Sequence, residues 1–204
     1  MSLNKLLCAT LFSLALPVNA YGKPASVEDS YDVFIKGGRY YGYFDIAGFG
    51  AGYSLLVRNV ALRLGISAIY GHDITGRSYT SGDVEIDARG IGVSLSSYFG
   101  DTFFTKVESG FLQVNTNYNG PLFHEGQFKK YIGTLGLGIG NTFLIKDSLQ
   151  ISIQWLELVY PLMSRSVDRT IPYEFAVSRP GKEVREITTG PAWSLFVSEI
   201  GYRF

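Results

Sequence analysis

The sequence predicts an all-β fold, an eight-stranded antiparallel up-and-down transmembrane β-barrel over residues 31–204. Three observations favour it: apolar and polar residues alternate along several segments, short and long connections alternate between them, and the chain closes on an aromatic strand. After residue 20, no stretch reaches the roughly 18 consecutive apolar residues of a spanning helix. The sequence therefore predicts that strands cross the membrane.

Residues 1–20 predict a secretory signal peptide that is cleaved after Ala20. Lys5 precedes a short apolar run, and small residues lie before the cleavage point. A buried N-terminal helix is the alternative, but Pro17 would interrupt such a helix. We expect residues 21–30 to form a short periplasmic leader before the barrel.

The composition limits the classes of function. The 18 basic and 18 acidic residues balance, so no basic surface for nucleic acid is indicated. The single cysteine, Cys8, lies inside the predicted signal peptide, which leaves an exported chain without disulfides. A closed, hydrogen-bonded barrel is one way to stabilise such a chain.

Turn signals divide the exported part of the chain into eight predicted strands. These strands are 31–41, 44–57, 60–70, 83–99, 102–116, 127–145, 148–160 and 191–204. After the first hairpin, short turns alternate with longer polar loops, including loops at 71–82, 117–126 and 161–190. An even number of strands with short periplasmic turns is typical of a bacterial transmembrane barrel. A soluble eight-stranded barrel is the alternative.

The faces of the strands decide between these two barrels. Leu135, Leu137 and Ile139 alternate with glycines, and other strands repeat the pattern with serine, threonine or glutamine. A soluble core lined by glycine would be mostly void, so we predict lipid outside and a narrow polar lumen inside. Aromatic residues near strand ends predict interface girdles: Tyr40, Tyr41, Tyr70, Tyr98, Phe103, Phe143, Trp155, Tyr160, Trp193 and Tyr202.

The same alternation places five charged side chains in the lumen. A cation on the lipid face costs roughly 2–4 kcal/mol, so the inward assignment is favoured. All five lie near a predicted periplasmic turn or terminus, which predicts a paired ionic cluster with Lys36 or Arg39 as a further member. Such a cluster either fills the lumen or gates it. The five residues are Arg63, Lys106, Glu108, Glu199 and Arg203.

The last strand carries the clearest family signal. Phe204, Tyr202 and Ile200 share an apolar face, and Arg203 and Glu199 lie on the other. This ending resembles the carboxyl-terminal signature of bacterial outer-membrane β-barrels. In architecture, the chain resembles the small eight-stranded family that includes the OmpX/Ail proteins and the OmpA transmembrane domain, although no periplasmic domain is expected after it.

The resemblance implies a place in the bacterial outer membrane and contact with its lipids and lipopolysaccharide. It also implies that the barrel-assembly machinery recognises Phe204, Tyr202 and Ile200 as an assembly signal. Members of this family often serve in surface contact or envelope integrity, which predicts a non-enzymatic role through the external loops. No cofactor is implied.

The longest predicted loop, 161–190, is the first candidate for binding host or other cell-surface molecules. An apolar alternation followed by a Pro-Gly turn predicts a hairpin that projects above the membrane. The residues expected to bind are Ile171, Tyr173, Phe175, Arg179 and Arg185. The alternative is a loop that only caps the barrel.

Two further functions stay open. Some eight-stranded barrels hydrolyse or transfer acyl chains of lipid A, which requires a histidine near a serine and a carboxylate. His72 and His124, the two histidines, lie in external loops with Ser78, Ser81 or Glu125 near them, but in no family motif. We therefore predict no catalytic residue and no metal site. A narrow ion or small-solute channel is the other alternative, because eight strands enclose a lumen just wide enough for side chains.

Overall fold

The computed structural model describes eight stretches of the chain: 29–40, 44–57, 60–72, 78–79, 82–120, 123–145, 148–169 and 191–204. The predicted signal peptide, most of the predicted leader and the predicted hairpin of the longest loop lie outside these residues. No helix in the described stretches is long and apolar enough to cross a membrane.

The described chain consists of antiparallel strands. They are β1 (Ser30–Tyr40), β2 (Phe44–Val57), β3 (Val60–His72), β4 (Ser78–Tyr79), β5 (Gly82–Phe99), β6 (Phe103–Gly120), β7 (Phe123–Ile145), β8 (Leu149–Arg169) and β9 (Ala192–Arg203). Each long strand pairs with the next one along the chain, and β1 pairs with β9. The eight long strands thus close into a ring, which confirms the predicted fold class. The two-residue β4 pairs only with the start of β5.

The strands extend further than predicted at the end of the barrel opposite the connections from β2 to β3, from β5 to β6 and from β7 to β8. We call the two ends the loop end and the turn end. β6 extends to Gly120 and β7 begins at Phe123, so both strands enter the predicted loop 117–126, and β8 continues to Arg169. The predicted strict alternation of short and long connections is therefore wrong between β6 and β7. The polar residues there belong to long strands, and so their polarity did not mark a loop.

Apolar side chains face outward in the half of the barrel next to the turn end. On β3 this belt runs from Val60 to Tyr70, and on β5 it runs from Phe99 to Ile91. Each stretch matches the about 9–11 residues that a tilted strand needs to cross the hydrocarbon core of a bilayer. The belt therefore fits a lipid layer, and β5–β8 continue beyond it at the loop end.

Glycines on the lumen side make room for charged side chains. A Cβ atom on Gly52 would lie 2.5 Å from Asp32 Oδ2 and 2.6 Å from Arg63 Nε. On Gly136 it would lie 2.5 Å from Glu157 Oε1. Both distances are too short for real contacts, so the glycine face is filled by charged groups that reach across it from neighbouring strands.

Bulges change which residues face inward along β8. Leu156 pairs with Ile139 and Gln154 pairs with Gly140, so Trp155 between them has no paired residue on β7. Because side chains alternate along a strand, the extra residue reverses the alternation beyond it. Gln154 and Glu157 are consequently both buried, although strict alternation would place them on opposite faces.

Candidate functional site

Arg63 on β3 forms the centre of one group of charges in the lumen. Its Nε and Nη2 atoms donate to the two carboxylate oxygens of Asp32 at 2.9 and 2.6 Å, and Nη1 donates to Glu199 at 3.3 Å. The guanidinium also lies 4.6 Å from the centre of the Phe34 ring. Paired hydrogen bonds of this kind fix geometry as well as charge. This group ties β3 to β1 and β9 across the lumen.

Lys36, Lys106 and Glu108 form a second group. Lys106 lies 2.9 Å from one Glu108 oxygen, and Lys36 lies 3.5 Å from the other. Lys36 also donates to Ser67 at 3.0 Å. Lys36 belongs to β1 and Glu108 to β6, which are four strands apart in either direction around the ring. Their contact therefore crosses the full width of the barrel.

The structure separates the predicted ionic residues into these groups. Arg63 and Glu199 belong to the first, and Lys106 and Glu108 to the second. Arg203 lies opposite Asp32 in the pairing of β1 with β9 and donates from Nε to Ser30 Oγ at 2.6 Å. The side chain of Arg39 lies outside the described part.

Sequence reasoning missed two buried acids of the lumen. Asp32 alternates with the outward Tyr31 and Val33, so the period-two pattern could have found it. Glu157 accepts from Gln154 at 2.8 Å, and its second oxygen has no hydrogen-bond partner among the described groups. The bulge at Trp155 hid its inward direction.

Bulky side chains also occupy the lumen near the turn end. Phe34 and Phe104 are buried there. Tyr98 is 6.0 Å from Phe104, ring centre to ring centre, and lies on the inward face of β5. Its predicted place in an outer aromatic girdle is therefore wrong, because even-numbered positions of this strand face the lumen.

At the loop end the polarity of the barrel reverses. Ile86, Ala88, Leu112, Val114 and Ile132 are buried on the inward face. Polar side chains of β5–β8 cover the outward face, and we call this surface the outer polar wall. It consists of Glu85, Asp87, Arg89, Gln113, Asn115, Asn117, Lys129, Tyr131 and Arg165. Lys130 and Thr116 are buried on the same inward face, which is therefore mainly and not wholly apolar. A mainly apolar inside with a polar outside is the arrangement of a barrel in water.

The outer polar wall contains a groove of ≈ 440 Å³. Its lining residues are Asp87, Gln113, Asn115, Asn117, Lys129, Tyr131 and Val167. The Lys129 ammonium lies 5.4 Å from the centre of the Tyr131 ring, which stacks on Phe111 at 5.7 Å. Gln113 donates to Asn115 at 3.1 Å. Amides, a cation and an aromatic ring together offer donors, acceptors and a flat apolar surface to a polar ligand.

Beside the groove, His72 and Asp87 form a pair. They lie opposite each other on β3 and β5, and His72 Nδ1 is 2.7 Å from Asp87 Oδ1. Tyr70 donates its hydroxyl to the same oxygen at 3.0 Å. Burial raises the pKa of the Asp87 carboxyl, but hydrogen bonds from His72 and Tyr70 outweigh burial and leave that pKa below its ordinary value. Asp87 is thus held as an acceptor.

Several predicted residues have no described side chain. Ile171, Tyr173, Phe175, Arg179 and Arg185 lie outside the described residues, so their binding role stays a prediction. The side chains of His124, Ser78 and Glu125, and all of Ser81, also lie outside the described part. His72 pairs with Asp87, a partner that sequence reasoning did not consider.

The three residues of the predicted assembly signal share the outward face. Ile200, Tyr202 and Phe204 are all exposed, and the rings of Tyr202 and Phe204 are 5.1 Å apart. The backbone N–H of Phe204 donates to Tyr31 at 2.8 Å, which ties the last residue to the ring. Recognition by the assembly machinery stays a prediction.

Solved structures show what the chain resembles. A major outer membrane protein of Thermus thermophilus is 13% identical, with a TM-score of 0.54 over 87% of this chain and 100% of that one. The N-terminal β-barrel domain of Pseudomonas aeruginosa OprF is 17% identical, with a TM-score of 0.47 over 87% and 98%. Neisserial surface protein A is 7% identical, with a TM-score of 0.44 over 86% and 95%.

No protein-family model and no curated protein matches the sequence. The likeness to the Thermus protein therefore concerns the fold alone. The closed ring and the outward apolar belt define the class of the molecule, a small transmembrane β-barrel, and the Thermus outer membrane protein shares that fold.

Proposed function

We propose that this outer-membrane β-barrel acts non-enzymatically in surface contact, with the outer polar wall as the contacting surface. The reversal of polarity along β5–β8 carries the proposal. Buried apolar residues such as Val114 support these strands from inside, so the wall is a rigid sheet that stands beyond the lipid belt. A sheet supported in this way can hold binding groups in fixed positions.

The lumen supports a contact role over transport. Lys36 and Glu108 meet across the width of the ring, and Arg63 joins Asp32 to Glu199 at a neighbouring position. Eight strands leave room for little beyond these side chains. We therefore expect no stepwise single-channel conductance in planar lipid bilayers.

The chemistry of the groove indicates a saccharide as the partner. Asn115 and Asn117 each supply a donor and an acceptor, Lys129 supplies a cation, and Tyr131 supplies a ring face on which a sugar can stack. Saccharides occur in lipopolysaccharide, which lies in the same membrane, and in the glycans of other cells. Binding to lipopolysaccharide would serve envelope integrity, and binding to the glycans of other cells would serve adhesion.

Binding of the purified barrel in lipid nanodiscs to an array of saccharides tests the proposal. The array carries lipopolysaccharide oligosaccharides and, separately, glycans of host-cell type. We expect Lys129→Ala to weaken binding about tenfold, since a charged hydrogen bond contributes roughly 1.5 kcal/mol or more. Binding confined to the first set would indicate envelope integrity, and binding to the second would indicate adhesion.

Ser109→Ala is the matched control, because Ser109 is exposed on the outward face of β6 but lies within the apolar belt. It should bind like the unaltered protein. Equal binding by the Lys129→Ala variant would contradict the assignment of the groove. Stepwise conductance would contradict the contact role itself.

A lipid A-modifying enzyme is the second candidate, and the His72–Asp87 pair is the observation that favours it. A histidine oriented by a carboxylate supplies two of the three members of a hydrolytic triad. Among the described side chains of β3 and β5, the outward neighbours of this pair include Tyr70 and Arg89 but no serine. Mass spectra of lipid A from membranes with and without the protein should be the same. Loss or gain of an acyl chain that depends on His72 would replace the contact role with an enzymatic one.

A further inference from the structure

His72, Glu85 and Asp87 lie close together on the outward face of β3 and β5. One ligand atom from each, an imidazole nitrogen and two carboxylate oxygens, lies within 4.8 Å of the other two. Glu85 and Asp87 are two positions apart on one strand, and His72 lies opposite Asp87 on the next. Strand pairing thus brings the three together without any contribution from the loop between them.

We propose that His72, Glu85 and Asp87 bind a divalent transition metal ion, with Zn²⁺ as the best match. Zinc accepts one imidazole and two carboxylates, at about 2.0–2.2 Å from each ligand atom. Calcium and magnesium prefer sites built of six or more oxygens, which three side chains with one nitrogen do not supply. Three protein ligands leave a position of the zinc ion open to water or to a ligand.

The surroundings of the cluster suit a metal ligand set. Tyr70 donates to the Asp87 carboxylate and would keep it oriented when His72 turns to the ion. The His72 Nδ1–Asp87 Oδ1 separation of 2.7 Å needs to widen only slightly for both atoms to bind one ion. Since His72 is about two-fifths exposed and Asp87 about one-fifth, the ion can reach the site from outside.

A bound ion would change the charge of the groove. Asp87 lines the groove and belongs to the cluster, so the ion would place positive charge at the edge nearest β3. Lys129 supplies a cation on the β7 side. This charge distribution would favour an anionic group such as a sugar phosphate. That preference rests on the proposed contact function, whereas the metal site itself does not.

Titration of the folded protein in nanodiscs with Zn²⁺ alone, followed by isothermal calorimetry, tests the site. We expect one ion per chain and at least a tenfold loss of affinity for His72→Gln. Glu85→Gln should give a loss of the same order, and it provides the measurement if the His72 variant does not fold. His124→Gln, a change of the other histidine, should bind Zn²⁺ like the unaltered chain.

Absorption spectra with Co²⁺ in place of Zn²⁺ identify the ligands. His72→Cys should restore binding and add a thiolate-to-metal band that the unaltered protein lacks, because thiolate is a strong ligand for both ions. The proposal is overturned if the unaltered protein binds no Zn²⁺, or if His72→Gln and Glu85→Gln bind it with unchanged affinity. If His124→Gln abolishes Zn²⁺ binding, the ion binds at a site other than His72, Glu85 and Asp87. None of these outcomes depends on saccharide binding.

Discussion

Replacing Arg63 with methionine is expected to lower the free energy of unfolding by about 3–5 kcal/mol. The guanidinium makes two hydrogen bonds to Asp32, which is 2% exposed, and a third to Glu199. Methionine fills a similar volume but leaves both buried carboxylates without this cation. Urea unfolding of the barrel in lipid vesicles, followed by tryptophan fluorescence, measures the loss.

Arg89→Met is the matched control. Arg89 lies on the outer polar wall, is exposed, and contacts the Tyr70 ring at 5.8 Å, so its removal should cost about 0.5 kcal/mol or less. Adding Asp32→Leu to Arg63→Met should recover part of the loss, because it removes one of the uncompensated charges. A loss below about 1 kcal/mol for Arg63→Met would show that water reaches Asp32 and that the lumen is open.

The fold was predictable because alternation persists along the strands. Leu135, Leu137 and Ile139 point outward as their spacing predicts, and the inward direction of Arg63 follows from the same rule. The pairing of Lys36 with Glu108 did not follow from it. That contact depends on which strands lie opposite each other in the closed ring, and only the complete topology determines this.

Bulges and polarity limited the rest of the prediction. A bulge adds one residue and reverses the faces beyond it, so Glu157 could not be assigned from its position. The polar segment 117–126 suggested a loop, although β6 extends to Gly120 and β7 begins at Phe123, and Leu112 and Val114 alternate with polar residues just before that segment. The period-two signal was present with its polarity reversed, as expected where a strand leaves the lipid and enters water.

The proposed metal site could not be predicted from the sequence for a different reason. His72 and Asp87 are separated by the loop and by β4, and no local pattern reveals that they lie opposite each other. Their register follows from the closure of β3 on β5. Sequence reasoning considered Ser78 and Ser81 as the neighbours of His72 and predicted no metal site. Two carboxylates on one strand face were the informative partners.

The position of the lipid belt leads to the second large prediction. Leu64 faces outward on β3 near the middle of the belt, is 47% exposed, and lies opposite Leu95 on β5. Leu64→Arg should therefore lower the free energy of unfolding in bilayers by about 2–4 kcal/mol, because the guanidinium must enter hydrocarbon. Urea titration in vesicles measures this loss.

Depth along the barrel separates this effect from a general intolerance of arginine. Tyr70→Arg, at the boundary of the belt, should cost about 0–1 kcal/mol, as expected near a membrane interface. Asn115→Arg, on the outer polar wall, should cost about 0.5 kcal/mol or less, because the new side chain stays in water. If Leu64→Arg and Asn115→Arg lower the free energy of unfolding by the same amount, the belt and the outer polar wall face the same solvent. The reversal of polarity would then not mark the membrane surface, and the outer polar wall would lose its basis as a contact surface.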